Sequence, residues 1–291
     1  MGNVAAMTEL RRRYHAAICD ALLTRDPDSG HWANADSASR LSRALAGHMA
    51  TAMHASGQGV TASAQEKGSV FASLTLDYLR AAFALLQHLR PGAWQWTCEQ
   101  GQARTSKYLQ YAHLADVEKH LAEHPQMRAN WGADYTIKPD IVVYRRQLAD
   151  SELQPLGDPV PLLGPDAATH SDLRAGSSAD AELLMHASIS CKWTQRSDRA
   201  QNSRTEALNL IRTRKGRTPH IMVVTFEPLP TRIGSIALGT GDIDCTYHAA
   251  LYELEAAVKE CGDESAQDLM ETLVGGRRLR DISDLPLDLA L

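Results

Sequence analysis

The sequence lacks the features that would assign a chain to a membrane, to a secretory pathway or to a nucleotide site. No run of 18 apolar residues occurs in its 291 residues, and the arginines near the N-terminus follow a short apolar stretch instead of preceding one. Neither a membrane span nor a signal peptide is therefore predicted. The segments GTGDID and GSIALG have the spacing of neither a phosphate-binding loop nor a hydrolase elbow. We expect a cytoplasmic protein without a membrane partner.

Cysteine is also scarce. The five cysteines lie far apart, at Cys19, Cys98, Cys191, Cys245 and Cys261. An odd number of widely spaced cysteines fits reduced thiols, and it argues against a disulfide framework or a cysteine-rich zinc site. The chain is nevertheless long enough, with 44% apolar residues, to bury a core in one large domain or two small ones.

The most informative segment is one in which the apolar period changes, between residues 186 and 217. Ala187, Ile189 and Cys191 alternate with polar residues, which predicts a half-buried strand that ends at Lys192. From Asp198 onward the apolar residues recur at helical spacing until a glycine ends the pattern. The sequence therefore predicts a strand that turns into a helix within about six residues.

This segment is also strongly basic. Between Ser190 and His220 there are eight Lys or Arg and two Asp or Glu, a balance of +6, whereas the whole chain carries −5. A positive element on an acidic body suggests a surface for a polyanion, because phosphate binding depends on local Lys and Arg. A solvated helix with scattered ion pairs is the alternative that the charge alone leaves open.

A second informative segment surrounds Asp140. Pro139 cannot donate to a β-ladder, so the strand should begin near Asp140 and continue through the apolar run 141–143. An acid rarely stands at the start of a buried strand without a partner or a metal. Further helices are predicted near residues 8–23, 39–53, 69–89, 107–124 and 246–260, and further strands near 94–97, 220–226 and 233–238.

The long segment 148–182 is rich in Pro, Gly, Ser and Asp and has no clear period. A connection of this length inside a compact protein is usually functional or disordered. Because it contains several leucines and a valine, we expect a contact surface for a partner, of which another copy of the chain is the natural candidate.

Asp140 and Lys192 have the layout of the PD-(D/E)xK nuclease core, with an acid on one strand and a lysine at the end of its neighbour. A carboxylate can hold Mg²⁺ against a scissile phosphate, and an ammonium group favours the hydroxide form of the attacking water. The second acid of that motif, two positions before the lysine, is here Ser190. Glu206, about two turns into the predicted helix, is a candidate substitute, although a surface ion pair with Arg199 or Lys192 would also explain it.

The residues Arg196, Asp198 and Arg199 fit the reading of base pairs. Arginine can donate to O6 and N7 of guanine, and a carboxylate can accept from N4 of cytosine. Two arginines that flank one aspartate therefore match two guanines opposite two cytosines. A capped helix start with an internal ion pair is the alternative interpretation.

Several long segments together resemble the NgoMIV-type restriction endonucleases, in the CCGG branch of the PD-(D/E)xK superfamily. They are DYTIKPDI, HASISCKWTQRSDRAQN, GSIALGTGDIDC, LQHLRPGAW and LPLDLAL. The resemblance covers nearly the whole chain. It implies an α/β fold in which residues 1–291 form one domain, with a restriction-endonuclease-like central mixed sheet flanked by helices. It also implies Mg²⁺-dependent cleavage of double-stranded DNA at a palindrome with a CCGG core, GCCGGC, which leaves 5′ overhangs. The expected assembly is a homotetramer, a dimer of dimers, formed through the loop 148–182.

The resemblance also assigns roles by position. Asp140, Lys192 and Glu206 match the family's catalytic acid, lysine and relocated second acid, with Asp140 and Glu206 as metal ligands and Ser190 where that acid would otherwise stand. Arg196, Asp198 and Arg199 match the readers of the central CCGG, and Gln65 and Asp36 fall where the family contacts the outer part of the site.

One position departs from the family pattern. Where the family has Gly-x-x-Phe-Glu, this chain has Gly68, Phe71 and then Ala72. In the family that glutamate supports the metal site, so Ala72 is either a natural replacement that weakens activity or an engineered one. The first hypothesis is therefore an active homotetrameric restriction endonuclease. The second is a sequence-specific DNA-binding protein that has lost catalysis. The third is a nuclease without sequence preference, which would leave the three candidate base readers unexplained.

Overall fold

A mixed β-sheet with helices on both faces forms the centre of the protein. The computed structural model describes residues 4–59, 63–98, 104–124, 126, 139–175, 181–195, 197–239 and 241–291. In chain order, the elements are α1 (Ala6–Ala21), α2 (Arg40–Ala52), α3 (Ala64–Ala84), β1 (Gln95–Thr97), two 3₁₀ turns (Thr105–Lys107 and Leu109–Tyr111), α4 (Leu114–Glu123), β2 (Ile141–Arg146), α5 (Asp150–Leu153), β3 (Leu183–Lys192), α6 (Ser197–Thr213), β4 (His220–Thr225), α7 (Pro230–Ala237), β5 (Cys245–His248), α8 (Leu251–Cys261), α9 (Glu264–Gly275), β6 (Leu279–Asp281) and α10 (Leu285–Leu289).

The strands follow one another across the sheet in the order of the sequence. β1, β2 and β3 pair antiparallel, whereas β3, β4, β5 and β6 pair parallel. In the antiparallel pair β2–β3, Ile141 lies opposite Ile189. The start of β2 and the end of β3 therefore meet at one edge of the sheet, which brings Asp140 next to Lys192.

Side-chain alternation divides the core between the two faces of the sheet. Ile141, Ile189 and Cys191 belong to the larger cluster, which they form with α1, α2, α3 and α8. Val142 belongs to the smaller cluster, where Ala207 of α6 packs. Because successive strand residues point to opposite faces, residues 190 and 192 of β3 face α6. The predicted α/β fold with a mixed sheet between helices is confirmed.

Two predicted elements were wrong. Residues 233–238 were predicted as a strand, but they belong to α7, which begins at Pro230, where a helix needs no N–H donor. Ile233, Ile236 and Ala237 are buried at helical spacing. The helix predicted over 246–260 begins only at residue 251, because residues 245–248 form β5 between β4 and β6. All four β5 residues are buried, so their pattern has no amphipathic period.

Other boundaries moved for local reasons. α3 begins earlier than predicted because Ser63 and Glu66 form a capping box. The helix predicted over 107–124 is split into 3₁₀ turns and α4. Among the described residues, no helix is long and apolar enough to cross a membrane.

The segment 148–182 is held to the body at its base. Residues 176–180 lie outside the described part, and the remainder consists of α5 and turns. Arg174 donates to the Asp150 carboxylate at 2.6 and 2.7 Å. Beyond this anchor, three apolar side chains, Leu156, Val160 and Leu162, are exposed to solvent.

Candidate active site

Asp140 is fixed by the end of β3. Its Oδ2 accepts a hydrogen bond from the backbone N–H of Cys191 at 2.8 Å and a longer one from Oγ of Ser190 at 3.4 Å. Ser190, two residues before Lys192, therefore orients Asp140 instead of supplying a second carboxylate. The Asp140 side chain remains 32% exposed, so it is accessible to a ligand.

Lys192 ends β3 on the same side of the sheet. Its Nζ lies 3.5 Å from Oδ2 of Asp140, and its side chain is 19% exposed. The backbone N–H of Phe226 donates to the Lys192 carbonyl at 3.4 Å, which ties the strand end to the residue after β4. The structure thus brings together the acid and the lysine that the sequence analysis selected.

Glu206 approaches this pair from α6. Burial raises the pKa of its carboxyl group, the negative charge of Asp140 raises it further, and the ammonium of Lys192 opposes both effects. Glu206 therefore lies within electrostatic range of both Asp140 and Lys192. Its role as a substitute second acid stays a prediction.

The donor set fits a hard divalent cation. Within the described ranges there is no group of three His, Cys, Asp or Glu residues that could enclose a metal. Mg²⁺, however, is commonly held by one or two carboxylates, with water and substrate phosphate completing its shell. Asp140, which is partly exposed, and Glu206, which lies within electrostatic range of it, are the two carboxylates that could serve as these ligands.

Ala72 contributes no polar group to this site. It is 2% exposed and belongs to the larger core cluster, on the face opposite α6. Its neighbour Phe71 packs edge-on against Trp193, with ring centroids 5.6 Å apart, and Trp193 stacks on Phe226 at 4.9 Å. This part of α3 therefore supports the end of β3 by apolar packing.

The candidate base readers, Arg196, Asp198 and Arg199, follow Trp193 closely in the chain. Arg196 lies outside the described residues, and only the backbone of Asp198 and Arg199 is described, in the first turn of α6. Their roles stay predictions. The residue before them, Gln195, is buried, and its backbone N–H donates to Oε2 of Glu227 at 2.7 Å.

The two residues that are predicted to contact the outer part of the DNA site, Gln65 and Asp36, lie in different environments. Gln65 is exposed in the first turn of α3. Asp36 accepts from the backbone N–H of Ala38 at 3.0 Å and from the guanidinium of Arg232. Arg232 was not predicted as a site residue, because no local pattern connects it with Asp36, 196 positions away.

Glu227 was also missed, although a signal existed. It is an acid that follows the buried strand β4 almost directly, and such a position drew attention to Asp140. Its side chain is fully buried, beside Arg232 and Gln195.

An acid before one strand and a lysine at the end of its antiparallel neighbour form the arrangement of a PD-(D/E)xK nuclease core. Comparison with known proteins agrees. The family profile described as NgoMIV restriction enzyme matches residues 14–291. The type II restriction enzyme NgoMIV of Neisseria gonorrhoeae is 45% identical over 286 residues, which cover 98% of each chain. The chain therefore belongs to the NgoMIV restriction enzyme family.

This membership confirms the predicted class, a type II restriction enzyme, and with it the need for a divalent metal. Among solved structures, a complex of restriction endonuclease PspGI with substrate DNA aligns over 98% of this chain and 92% of that one. It does so at 11% identity and a TM-score of 0.30.

Proposed function

We propose that the enzyme cuts double-stranded DNA at GCCGGC in a Mg²⁺-dependent reaction that leaves 5′ overhangs. One observation carries the proposal. Asp140, Lys192 and Glu206 lie around one edge of the sheet, and the candidate base readers occupy the short segment between the lysine and the second acid. This neighbourhood of the catalytic and base-reading candidates supports the proposal.

In the proposed mechanism, Asp140 and Glu206 would hold the cation, which would stabilise the negative charge that develops on the phosphate. Lys192 places a positive charge beside the attacking water and thereby favours its hydroxide form, whose proton is released to solvent. The hydroxide attacks phosphorus in line and forms a new P–O bond while the bond to the leaving oxygen breaks, and the leaving oxygen takes up a proton from solvent. The N–H of Cys191 and the hydroxyl of Ser190 keep the Asp140 carboxylate aimed at the site.

Sequence specificity is assigned to the start of α6. Arg196 and Arg199 would each donate two hydrogen bonds to a guanine of the CCGG core, and Asp198 would accept from the cytosines. Asp36 and Gln65 would contact the outer base pairs. The excess of basic residues in this segment predicts an affinity that falls steeply with salt.

The proposed assembly is a homotetramer that cuts two sites together. The segment 148–182 supports it, because three exposed apolar side chains, Leu156, Val160 and Leu162, lie on a loop that the Arg174–Asp150 ion pair holds in place. Anchored and exposed apolar residues are typical of an interaction surface. A second copy of the chain would cover them.

A second candidate function follows from Ala72. If the metal site needs a carboxylate at this position, the chain binds GCCGGC without cutting it. The observation that favours this candidate is that Ala72 is 2% exposed and belongs to the larger core cluster, so this position supplies no metal ligand.

The test compares Mg²⁺-dependent cleavage of plasmids that carry no, one or two GCCGGC sites, with the Ala72→Glu variant in parallel and Lys192→Ala as the inactive control. Faster cutting of the two-site plasmid supports the tetrameric enzyme. Cutting by Ala72→Glu alone supports the DNA-binding candidate. If neither protein cuts GCCGGC, the proposed specificity is wrong.

A further inference from the structure

Glu227 is a fully buried acid whose two oxygens serve two different segments of the chain. Its Oε2 accepts from the N–H of Gln195 at 2.7 Å, and its Oε1 accepts from the N–H of Leu229 at 3.1 Å. Its own N–H donates to Oγ1 of Thr225 at 3.2 Å. One carboxylate therefore fixes the last residue before Arg196 to the loop between β4 and α7.

The same carboxylate also lies near Arg232, which binds Asp36, one of the two residues predicted to contact the outer base pairs. Nη1 of Arg232 lies 3.8 Å from Oε2 of Glu227, while the other end of this guanidinium binds Asp36. A continuous polar path thus runs from Gln195 through Glu227 and Arg232 to Asp36. It links the segment that precedes the inner base readers with the candidate contact to the outer base pairs.

His248, which also contacts Glu227, is neutral. Nε2 of His248 donates to the Glu227 carbonyl oxygen at 3.1 Å, and Nδ1 of His248 accepts from the N–H of Ala250 at 3.0 Å. Burial lowers the pKa of His248 to about 4, so its ring stays uncharged at neutral pH. Among the residues that the structure describes, the charged groups that act on Glu227 are therefore Arg232 and, beyond it, Asp36.

We propose, on the basis of the function proposed above, that Glu227 is a positioning residue for sequence discrimination that holds the inner and outer reading elements in one fixed relation. The reason lies in the chemistry of the group. A carboxylate offers an acceptor to both buried N–H groups, whereas an amide offers only one, so Glu227→Gln leaves the N–H of Gln195 or Leu229 facing an NH₂ group. The volume at this position would hardly change.

The protonation of Glu227 provides a second means of testing this role. Burial raises the pKa of its carboxyl group to about 7. The form that accepts two hydrogen bonds is thus gained as the pH rises from 6 to 8. Discrimination between DNA sequences should improve over that range in the wild-type protein.

The experiment measures equilibrium binding without divalent metal to three duplexes, at pH 6 and pH 8. One duplex contains GCCGGC, one has a changed inner step, GCATGC, and one has changed outer pairs, ACCGGT. At pH 8, Glu227→Gln is expected to lower discrimination against both altered duplexes by roughly tenfold or more, the effect of one lost buried hydrogen bond to a charged acceptor. The variant should also lose the pH dependence. Asp288→Asn, which removes the carboxylate charge that binds Tyr247 and Arg280, is the matched control and should discriminate like the wild type.

Three results would overturn the role of Glu227 while the proposed function stands: unchanged discrimination in Glu227→Gln, equal weakening on all three duplexes, or a similar loss in Asp288→Asn. The wild-type pH profile needs no substitution, so a flat profile counts against the role even if the variant fails to fold. If the wild type does not prefer GCCGGC over both altered duplexes, the proposed function itself fails.

Discussion

Replacing Glu227 by glutamine should change how the stability of the protein depends on pH. Glu227 is fully buried, and burial raises its pKa from 4.5 to about 7 against the opposing hydrogen bonds from Gln195 and Leu229 and the charge of Arg232. A carboxyl group with a raised pKa favours the folded state fully below pH 4.5, and this contribution is lost as the pH rises through about 7. One pKa unit corresponds to about 1.4 kcal/mol, so the full effect is about 3 kcal/mol.

Glutamine cannot ionise, so the variant lacks this contribution at every pH. The difference in the free energy of unfolding between Glu227→Gln and the wild type should therefore shift by about 2.5 kcal/mol in favour of the variant between pH 5 and pH 8.5. Urea unfolding of both proteins across that range measures this difference in the free energy of unfolding. Groups that titrate alike in the two proteins contribute equally to both values and so do not affect the difference. A difference that stays constant with pH would show that Arg232 and the two N–H donors fully compensate the buried charge.

Three further perturbations test other parts of the structure. Glu206→Gln should reduce Mg²⁺-dependent cleavage by about 100-fold or more while metal-free DNA affinity falls little, as cleavage and filter-binding assays would measure. Ala72→Glu places a carboxylate in the core cluster that contains Ala72. The melting temperature should therefore fall by several degrees in EDTA and recover in Mg²⁺. An equal fall of the melting temperature in EDTA and in Mg²⁺ would show that position 72 does not contribute to the metal site. Arg11→Met removes the cationic partner of the fully buried Asp281 and should cost about 3–5 kcal/mol in urea unfolding. Arg13→Met, at an exposed pair, should cost less than about 1 kcal/mol.

The site was largely predictable because its residues stand at strand ends. Asp140 and Lys192 each interrupt an apolar pattern that fixes the strand, and antiparallel pairing of neighbouring strands then brings the two side chains together. The helical period after the strand made Glu206 a candidate, and the family resemblance assigned its role, which stays a prediction. Local patterns were sufficient to place Asp140 beside Lys192.

The rest depends on contacts that no local pattern encodes. β5 is buried on both faces, so its four residues carry no period, and the prediction extended the next helix over them. The bond between Asp36 and Arg232 joins two loop regions that are distant in sequence. Such pairs are set by tertiary packing of α7 beside the sheet, and a single sequence does not reveal it.

The lysine, the candidate base readers and the second acid lie on one uninterrupted stretch of chain, from Ser190 to Glu206. If the second acid stood two residues before Lys192, the base readers could shift without moving any catalytic group. If residues 196–199 read the bases and Glu206 holds the metal, as proposed, a mismatched base pair that displaces the start of α6 would also displace Glu206, which lies on the same helix. A wrong sequence would then be penalised twice, first in occupancy and again in the turnover of the bound complex, so fidelity in cleavage should exceed fidelity in binding.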